Sequence, residues 1–270
     1  MQRWACGVSY MGTAYHGWQK QPDLPNTVEQ TVQSALEFVA DECLSLVCAG
    51  RTDSGVHATN QVVHFESTKP RSADNWLMGA NRRLPDDVKL QWVVPVSQEF
   101  HARYSAQRRR YCYVIYNAPH RHPLLSGRVT WVRRELSRYD AMQAAALSLL
   151  GEHDFSSFRD KDCQAKHPVR TLTEFTVVKR GRFCVFYCEA NAFLHHMVRN
   201  MMGVLIDIGL GRQPVSWAEE VLRARNRARA GVTAPADGLY LMRVDYGESW
   251  ASVIPSSDDL LQTILNTEGK

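Results

Sequence analysis

The sequence is poor in the features that assign a chain quickly to a class. Its seven cysteines are odd in number and include no Cys-x-x-Cys pair, which excludes a small disulfide-stapled scaffold and a zinc ribbon. No apolar run approaches the length needed to cross a bilayer. The first residues, Met1-Gln2-Arg3-Trp4-Ala5-Cys6-Gly7-Val8, hold no signal-type hydrophobic stretch. The glycine patterns of phosphate loops and dinucleotide sites are missing, as is His-Glu-x-x-His. Neither sign of charge dominates, since 32 Lys and Arg face 28 Asp and Glu for a net charge of +4. That balance permits a polyanionic partner without arguing for one. The expectation is a cytoplasmic protein with reduced thiols and no membrane attachment, metal or cofactor.

What remains is ordinary globular composition, 44% hydrophobic and 22% charged over 270 residues. A chain of this length buries roughly three quarters of its unfolded surface and needs no staple. Residues 3–9 alternate as a strand and run into 10–21, a loop dense in aromatics and glycine. Val28, Val32, Ala35, Leu36 and Val39 recur at helical spacing behind a cap at Asn26 or Thr27. Residues 44–48 and 61–66 read as strands, and a helix over 73–83 stops before Pro85. Residues 88–96 form a further strand.

That order, strand-helix-strand-strand-helix-strand, is the split βαβ pattern of ferredoxin-like and RRM-like folds. The second half repeats it in element order alone. A strand at 110–116 precedes a helix at 139–150 ended by Gly151. A hairpin of 175–179 and 182–189 turns at Arg180-Gly181. A long helix over 192–208, a shorter one near 217–225 and a strand at 239–246 follow. The predicted class is α+β, with two ferredoxin-like βαββαβ halves joined into one mostly antiparallel sheet. Helices lie on one face and a cleft lies where the halves meet. The expected divisions are 1–104, 105–247 and a tail at 248–270 with a short helix near 258–265.

Between the strands at 44–48 and 61–66 lies Ala49-Gly50-Arg51-Thr52-Asp53-Ser54-Gly55-Val56-His57-Ala58. Its two glycines admit backbone conformations closed to other residues. Between them sit a cation, a hydroxyl and a carboxylate on a loop carried by strands, the usual way a scaffold presents functional groups. A plain turn with a solvated ion pair explains the same ten residues. Elsewhere, Arg108-Arg109-Arg110 precedes Tyr111-Cys112-Tyr113, in which Tyr111, Tyr113 and Ile115 share one face. That face is either an aromatic core or a base-stacking platform beside phosphate-binding arginines. Arg199 interrupts the apolar segment 193–208, where a buried cation requires an anion; Asp53 is the candidate. His195 and His196, adjacent on a predicted helix, face different directions and suggest no metal site. Cys184 and Cys188 share a strand face with Phe186 and read as reduced core residues.

At these residues the sequence resembles the TruA branch of the tRNA pseudouridine synthases, over most of the chain from Tyr10 to Tyr246. The decapeptide 49–58 is similar to the family's catalytic loop, with Ser54 where Ala is more usual. Phe100-His101-Ala102-Arg103-Tyr104-Ser105-Ala106 with Arg110-Tyr111-Cys112-Tyr113 resembles its second motif. Gly151-Glu152-His153-Asp154-Phe155-Ser156-Ser157-Phe158, residues 193–200 and Ala234-Pro235-Ala236-Asp237-Gly238-Leu239-Tyr240-Leu241 resemble three more. Met11 departs from the Asp usual before Gly12, in a loop the family places near RNA.

The resemblance implies a homodimeric enzyme whose central cleft binds tRNA and isomerises uridine at positions 38, 39 and 40 of the anticodon arm. It implies Asp53 as nucleophile, Tyr111 stacking on the target base, Arg51 contacting the substrate backbone and Leu239 lining the pocket. Asp suits covalent catalysis when kept ionised. An unperturbed Asp titrates near 3.9, and a cation opposes the rise that burial causes, a role assigned to Arg199. Arg82, Arg83, Arg103 and Arg108 to Arg110 are the candidate RNA-facing cations. Two rivals remain: a non-catalytic RNA-binding module of duplicated RRM-like fold, and an acid-dependent hydrolase.

Overall fold

The computed structural model describes residues 1–255, so the helix expected near 258–265 lies outside the described residues. In chain order the strands are β1 (Gln2–Tyr10), β2 (Val47–Cys48), β3 (His57–Ser67), β4 (Val88–Val96), β5 (Arg108–Asn117), β6 (Thr130–Val132), β7 (Gly151–Asp154), β8 (Val169–Arg180), β9 (Phe183–Ala190) and β10 (Leu239–Asp245). The helices are α1 (Val28–Ala40), α2 (Ala73–Arg83), α3 (Tyr139–Leu147), α4 (Met197–Gly209), α5 (Trp217–Ala224) and α6 (Glu248–Ala251). The fold is mixed α+β, with largely antiparallel strand pairing. Two compact units divide it: Met1–Gln107 with the described residues from Tyr240, and Arg108–Leu239. The boundary falls at 107/108 where 104/105 was expected, and the last strand, expected in the second half, groups with the first unit from Tyr240 on.

In the first unit β1 pairs antiparallel with both β3 and β4, and β2 pairs antiparallel with β3. Alternation along β1 turns Trp4, Cys6, Val8 and Tyr10 to one face. There Trp4 and Phe65 pack on Trp76 of α2, with ring centroids 6.1 and 5.0 Å apart. Thr27 caps α1, accepting the Gln30 N–H, and Ser72 and Asn75 close a reciprocal capping box on α2. The predicted stripe of α1 is buried at Val28, Val32, Ala35 and Leu36, with Ala40 in place of Val39. Only Val47 and Cys48 of the expected strand at 44–48 pair, whereas β3 begins at His57, four residues before the alternation did. β10 then adds beside β3 in parallel, Tyr240 opposite His57 and Leu241 opposite Ala58.

In the second unit β5, β9, β8 and β7 pair antiparallel in that order, and β6 lies parallel to β5. The β8–β9 hairpin turns at Gly181, whose φ is +56°. Sequence patterning missed β6 and β7, which are three and four residues long, too short to display a period. α3 ends at Leu147, before the expected Gly151, which opens β7 instead at φ +103°. α4 begins at Met197, five residues after the expected start, because His196 takes a left-handed φ of +60°. A Cβ on Gly209 would lie 2.4 Å from Met142 Sδ, so α3 and α4 pack this closely because glycine stands there. All seven cysteines are unbridged, and burial pushes the Cys6 and Cys184 thiols up to about 12. No helix among the described residues is long and apolar enough to cross a membrane.

His64 on β3 is buried, accepts the Ala102 N–H at Nδ1 (3.1 Å) and lies edge-on to His101 at 4.8 Å. Burial, reinforced by His101 and Arg3, lowers its pKa from 6.5 to about 4. The unfolded chain therefore takes up the proton first as pH falls. The stability contributed by neutral His64 is whole above pH 6.5 and is lost as the pH drops toward 4. Urea unfolding at pH 7 and 4.5 is expected to show a loss smaller by about 2–3 kcal/mol in His64→Asn than in the parent protein. Equal losses in the two proteins would contradict this assignment.

Candidate active site

Asp53 and Arg51 belong to the first unit; Arg110, Tyr111, Arg199 and Leu239 belong to the second. In the first unit the loop around Asp53 is gripped from beneath by residues 10–18. The Trp18 N–H donates to the Thr52 carbonyl at 2.9 Å. Tyr10 and Thr52 share a buried hydroxyl–hydroxyl hydrogen bond of 2.7 Å. The Tyr15 carbonyl accepts from the Ser54 hydroxyl and the Gly55 N–H, at 3.1 and 3.4 Å. The Gly12 N–H donates to His57 Nδ1 at 2.9 Å, so the neutral ring carries its proton on Nε2.

Two glycines make this grip possible. A Cβ on Gly12 would lie 2.0 Å from the Val56 carbonyl oxygen. Gly17, at φ +84°, would bring one within 2.8 Å of the Thr52 oxygen. Thr52 is buried beneath, Asp53 is half-buried, and Arg51 and Ser54 are exposed. The carboxylate thus emerges from a backbone fixed on both sides. At the far end of the loop, Gln61 bonds both backbone groups of Gly50, and the His57 ring lies 4.5 Å from that of Tyr240.

In the second unit Tyr111 is buried on β5 and meets Phe193 edge-to-face, with ring centroids 5.0 Å apart. Tyr113, two residues along on the same face, donates to the Pro235 carbonyl at 2.8 Å and bonds Thr130 at 2.6 Å. Burial raises the Tyr113 pKa well above that of a free phenol, keeping the donor protonated. Arg199, half-buried in the first turn of α4, donates from Nε to the Ala234 carbonyl at 2.9 Å, and its own carbonyl accepts the Ala234 N–H at 3.0 Å. Gly203 lets that segment approach, for a Cβ there would lie 1.9 Å from the Val232 oxygen. Consecutive carbonyls at 234 and 235 are therefore held by Arg199 and Tyr113. Leu239, buried, follows in the same segment, its N–H donating to the Ala236 carbonyl at 2.8 Å.

Most of the remaining sequence candidates are drawn into contacts, while Arg82, in the last turn of α2, is exposed. Arg110 grips Glu174 with two hydrogen bonds of 2.7 and 2.8 Å and lies over the Tyr187 ring. Strand alternation puts it on the face opposite Tyr111. Arg108 pairs with Glu189 at 3.6 Å, Arg109 donates to the Asn191 carbonyl, and Arg83 covers Phe38. Arg103 lies over the exposed Tyr104 ring. His195 and His196, expected on a helix and facing apart, precede α4 instead, and both turn toward Asp160, at 3.7 and 2.8 Å. Sequence reasoning did not assign Tyr10, Gly12 and Gly17 to the site; their signals were the aromatic- and glycine-rich run at 10–21 and the resemblance, which places the loop at Met11-Gly12 near RNA. Gly17→Ala is expected to lower stability by about 1–3 kcal/mol and to speed hydrogen exchange at the Trp18 amide. An unfolding midpoint and exchange rate equal to the parent's would show that the grip does not depend on glycine.

A model of the family described as tRNA pseudouridine synthase matches residues 7–105 and 145–247. A protein of Bordetella petrii named tRNA pseudouridine synthase A is 51% identical over 248 residues, 91% of this chain and 92% of that one. Its counterpart in Legionella pneumophila is 51% identical over 244 residues, covering 90% and 92% of the two chains. That of Paraburkholderia xenovorans is 47% identical over 268 residues, covering 99% and 98%. Among solved structures, a chain of a Cbf5-Nop10-Gar1 complex is similar at a TM-score of 0.40 and 12% identity, over 88% of this chain and 48% of that one. With the family match spanning most of both units, the chain belongs to the tRNA pseudouridine synthases, isomerases that convert uridine to pseudouridine in tRNA.

Proposed function

We propose that this chain isomerises uridine at positions 38, 39 and 40 of the tRNA anticodon arm, with Asp53 as the nucleophile. The observation that carries the reading is the half-buried carboxylate at the tip of a loop whose backbone is fixed by Trp18, Tyr10, Tyr15 and Gly12. A covalent catalyst gains from such fixity, because the reacting atoms must meet at about 3–3.5 Å. The reaction breaks the C1′–N1 bond of uridine, the electron pair leaving with the uracil. A carboxylate oxygen of Asp53 holds C1′ while the base turns to present C5. The C5–C1′ bond then forms as the ester oxygen departs with its electron pair; C5 gives up its proton to solvent and N1 takes one up. Atoms and electrons balance within the substrate, so the conversion requires no external oxidant or reductant.

In this reading Arg199 supplies the positive charge that keeps Asp53 ionised, and Tyr111 stacks on the flipped base. Extruding a base costs a few kcal/mol, of which one aromatic stack returns roughly 1–3. Contacts to the RNA backbone supply the rest, with Arg51 among them. Leu239 pads the pocket wall. Arg110, neutralised by Glu174, contributes by orienting β5 rather than by adding net charge. The protein works in the cytoplasm as a homodimer that builds its RNA surface from both copies.

Tritium release from C5-labelled uridine in tRNA tests the reading. Asp53→Asn is expected to lose more than about 10³-fold in turnover, as removal of a covalent catalyst does, while tRNA affinity stays within about threefold. Retained turnover would sink the assignment, and a parent protein that binds tRNA without releasing tritium would favour the non-catalytic module. Tyr111→Leu is expected to lose the roughly 1–3 kcal/mol of one base stack, with Tyr111→Phe close to the parent. Equal losses in Leu and Phe would move the role of Tyr111 from its ring to its hydroxyl.

A further inference from the structure

The second unit carries a group of cations that the chemistry at Asp53 and Tyr111 leaves unused. Residues 221–236 hold four arginines at alternate positions, Arg223, Arg225, Arg227 and Arg229, and no acidic residue. Arg227 turns inward. Its guanidinium donates to the Gly231 carbonyl, Asn200 Oδ1 and Thr233 Oγ1 at 3.0, 3.0 and 2.9 Å. Asn200 follows Arg199 on α4, and Ala234 holds the Arg199 side chain. The inner arginine thus fastens this segment to the start of α4.

The other three are exposed. Arg223, in the last turn of α5, pairs with Glu219 one turn away. Arg225 lies 3.5 Å from Asp154. The two arginine side chains are 73% and 69% exposed, against 45% for Glu219 and 22% for Asp154, so both guanidiniums stay open to a further anion. Arg225 also closes α5 at a left-handed φ of +47°, where helix ends ordinarily place glycine or asparagine. A long cationic side chain sits there against the preference of the backbone. Arg223 and Arg225 open on a pocket of about 330 Å³ whose lining also includes Ser148, His153 and both partner carboxylates, Asp154 and Glu219. Guanidinium forks match phosphate oxygens two by two, which a lysine ammonium does not.

We propose that Arg223, Arg225 and Arg229 form a second tRNA contact, gripping the sugar-phosphate backbone rather than the reacting base. The inference rests on tRNA being the substrate, as proposed above. Phosphates bind the open sides of these arginines, and Arg227 remains the anchor that holds the segment on α4. The contact governs affinity and its salt dependence, and leaves the chemical step alone.

The test uses the full chain carrying Arg223→Gln, Arg225→Asn and Arg229→Gln together, the asparagine suiting the left-handed position. Binding to a full-length tRNA transcript is measured by filter retention across a series of KCl concentrations. At about 100 mM salt the dissociation constant is expected to rise at least tenfold, and the log–log salt slope to shrink by about 2–3, near 0.7–0.9 per lost phosphate contact. Turnover at saturating tRNA is expected to match the parent. Unchanged affinity and slope would overturn the proposal, as would weaker binding with an unchanged slope, which would assign the arginines to fold maintenance. If the triple variant unfolds, Arg229→Gln alone is expected to reduce the slope by about 0.7–0.9, and no reduction overturns the proposal. A parent protein that binds tRNA with this salt dependence yet forms no pseudouridine would refute the reading at Asp53 and leave the arginine contact standing.

Discussion

The hydrogen bond from the Trp18 amide to the Thr52 carbonyl is the interaction on which the loop carrying Asp53 depends. It fixes the peptide immediately before Asp53, and it forms only because Gly17 takes a φ of +84° and has no Cβ to strike that carbonyl. Further bonds from Tyr10, Tyr15 and Gly12 hold residues 52, 54, 55 and 57. Each such bond contributes about 0.5–1.5 kcal/mol net, whereas ordering each residue of a loop costs about 1–2 kcal/mol. The terms are of similar size, so the grip adds to the loop's own turn, in which the Val56 N–H donates to the Asp53 carbonyl at 3.1 Å. A nucleophile benefits because its approach is set before substrate arrives.

The second unit solves a related problem with a different device. Arg199 stands half-buried in α4, whose other polar residues are Asn200 and Asp207, and an uncompensated cation there would be costly. Its Nε is satisfied by the Ala234 carbonyl, and Gly203 lets the backbone at 232–234 come close enough for that bond. Tyr113 fixes the next carbonyl. The segment leading to Leu239 is thereby held by side chains from α4 and β5, the two elements that also carry Arg199 and Tyr111. Positioning Tyr111 and Arg199 through one shared strap keeps their geometry coupled.

Much of this was legible in the sequence, where residues had a period or a cap to announce them. The stripe Val28, Val32, Ala35 and Leu36, the Pro85 stop and the alternation of β5 each follow from local rules that tertiary packing did not override. What stayed hidden has physical reasons. β6 and β7 are too short to show a period. The start of α4 is set by a left-handed His196 whose ring bonds Asp160, a partner 36 residues away that no local signal names. β10 lies beside β3 in parallel, a pairing far apart in the chain. The grip of residues 10–18 on the Asp53 loop was visible only as an excess of glycine and aromatics, because a close approach leaves no pattern beyond the missing side chain. Arg110 is the opposite case: the period of two already put it on the face away from Tyr111, and its pairing with Glu174 follows from that side of the sheet.

The central claim is that a pre-fixed Asp53 carboxylate meets C1′ of an extruded uridine. A crystal structure of the Asp53→Asn variant bound to tRNA tests it most directly. The account predicts the target uridine flipped out of the anticodon arm, stacked on Tyr111, with the side chain of residue 53 about 3–3.5 Å from C1′. A uridine still stacked in the arm, or a side chain at 53 turned to solvent while another group meets C1′, would contradict it.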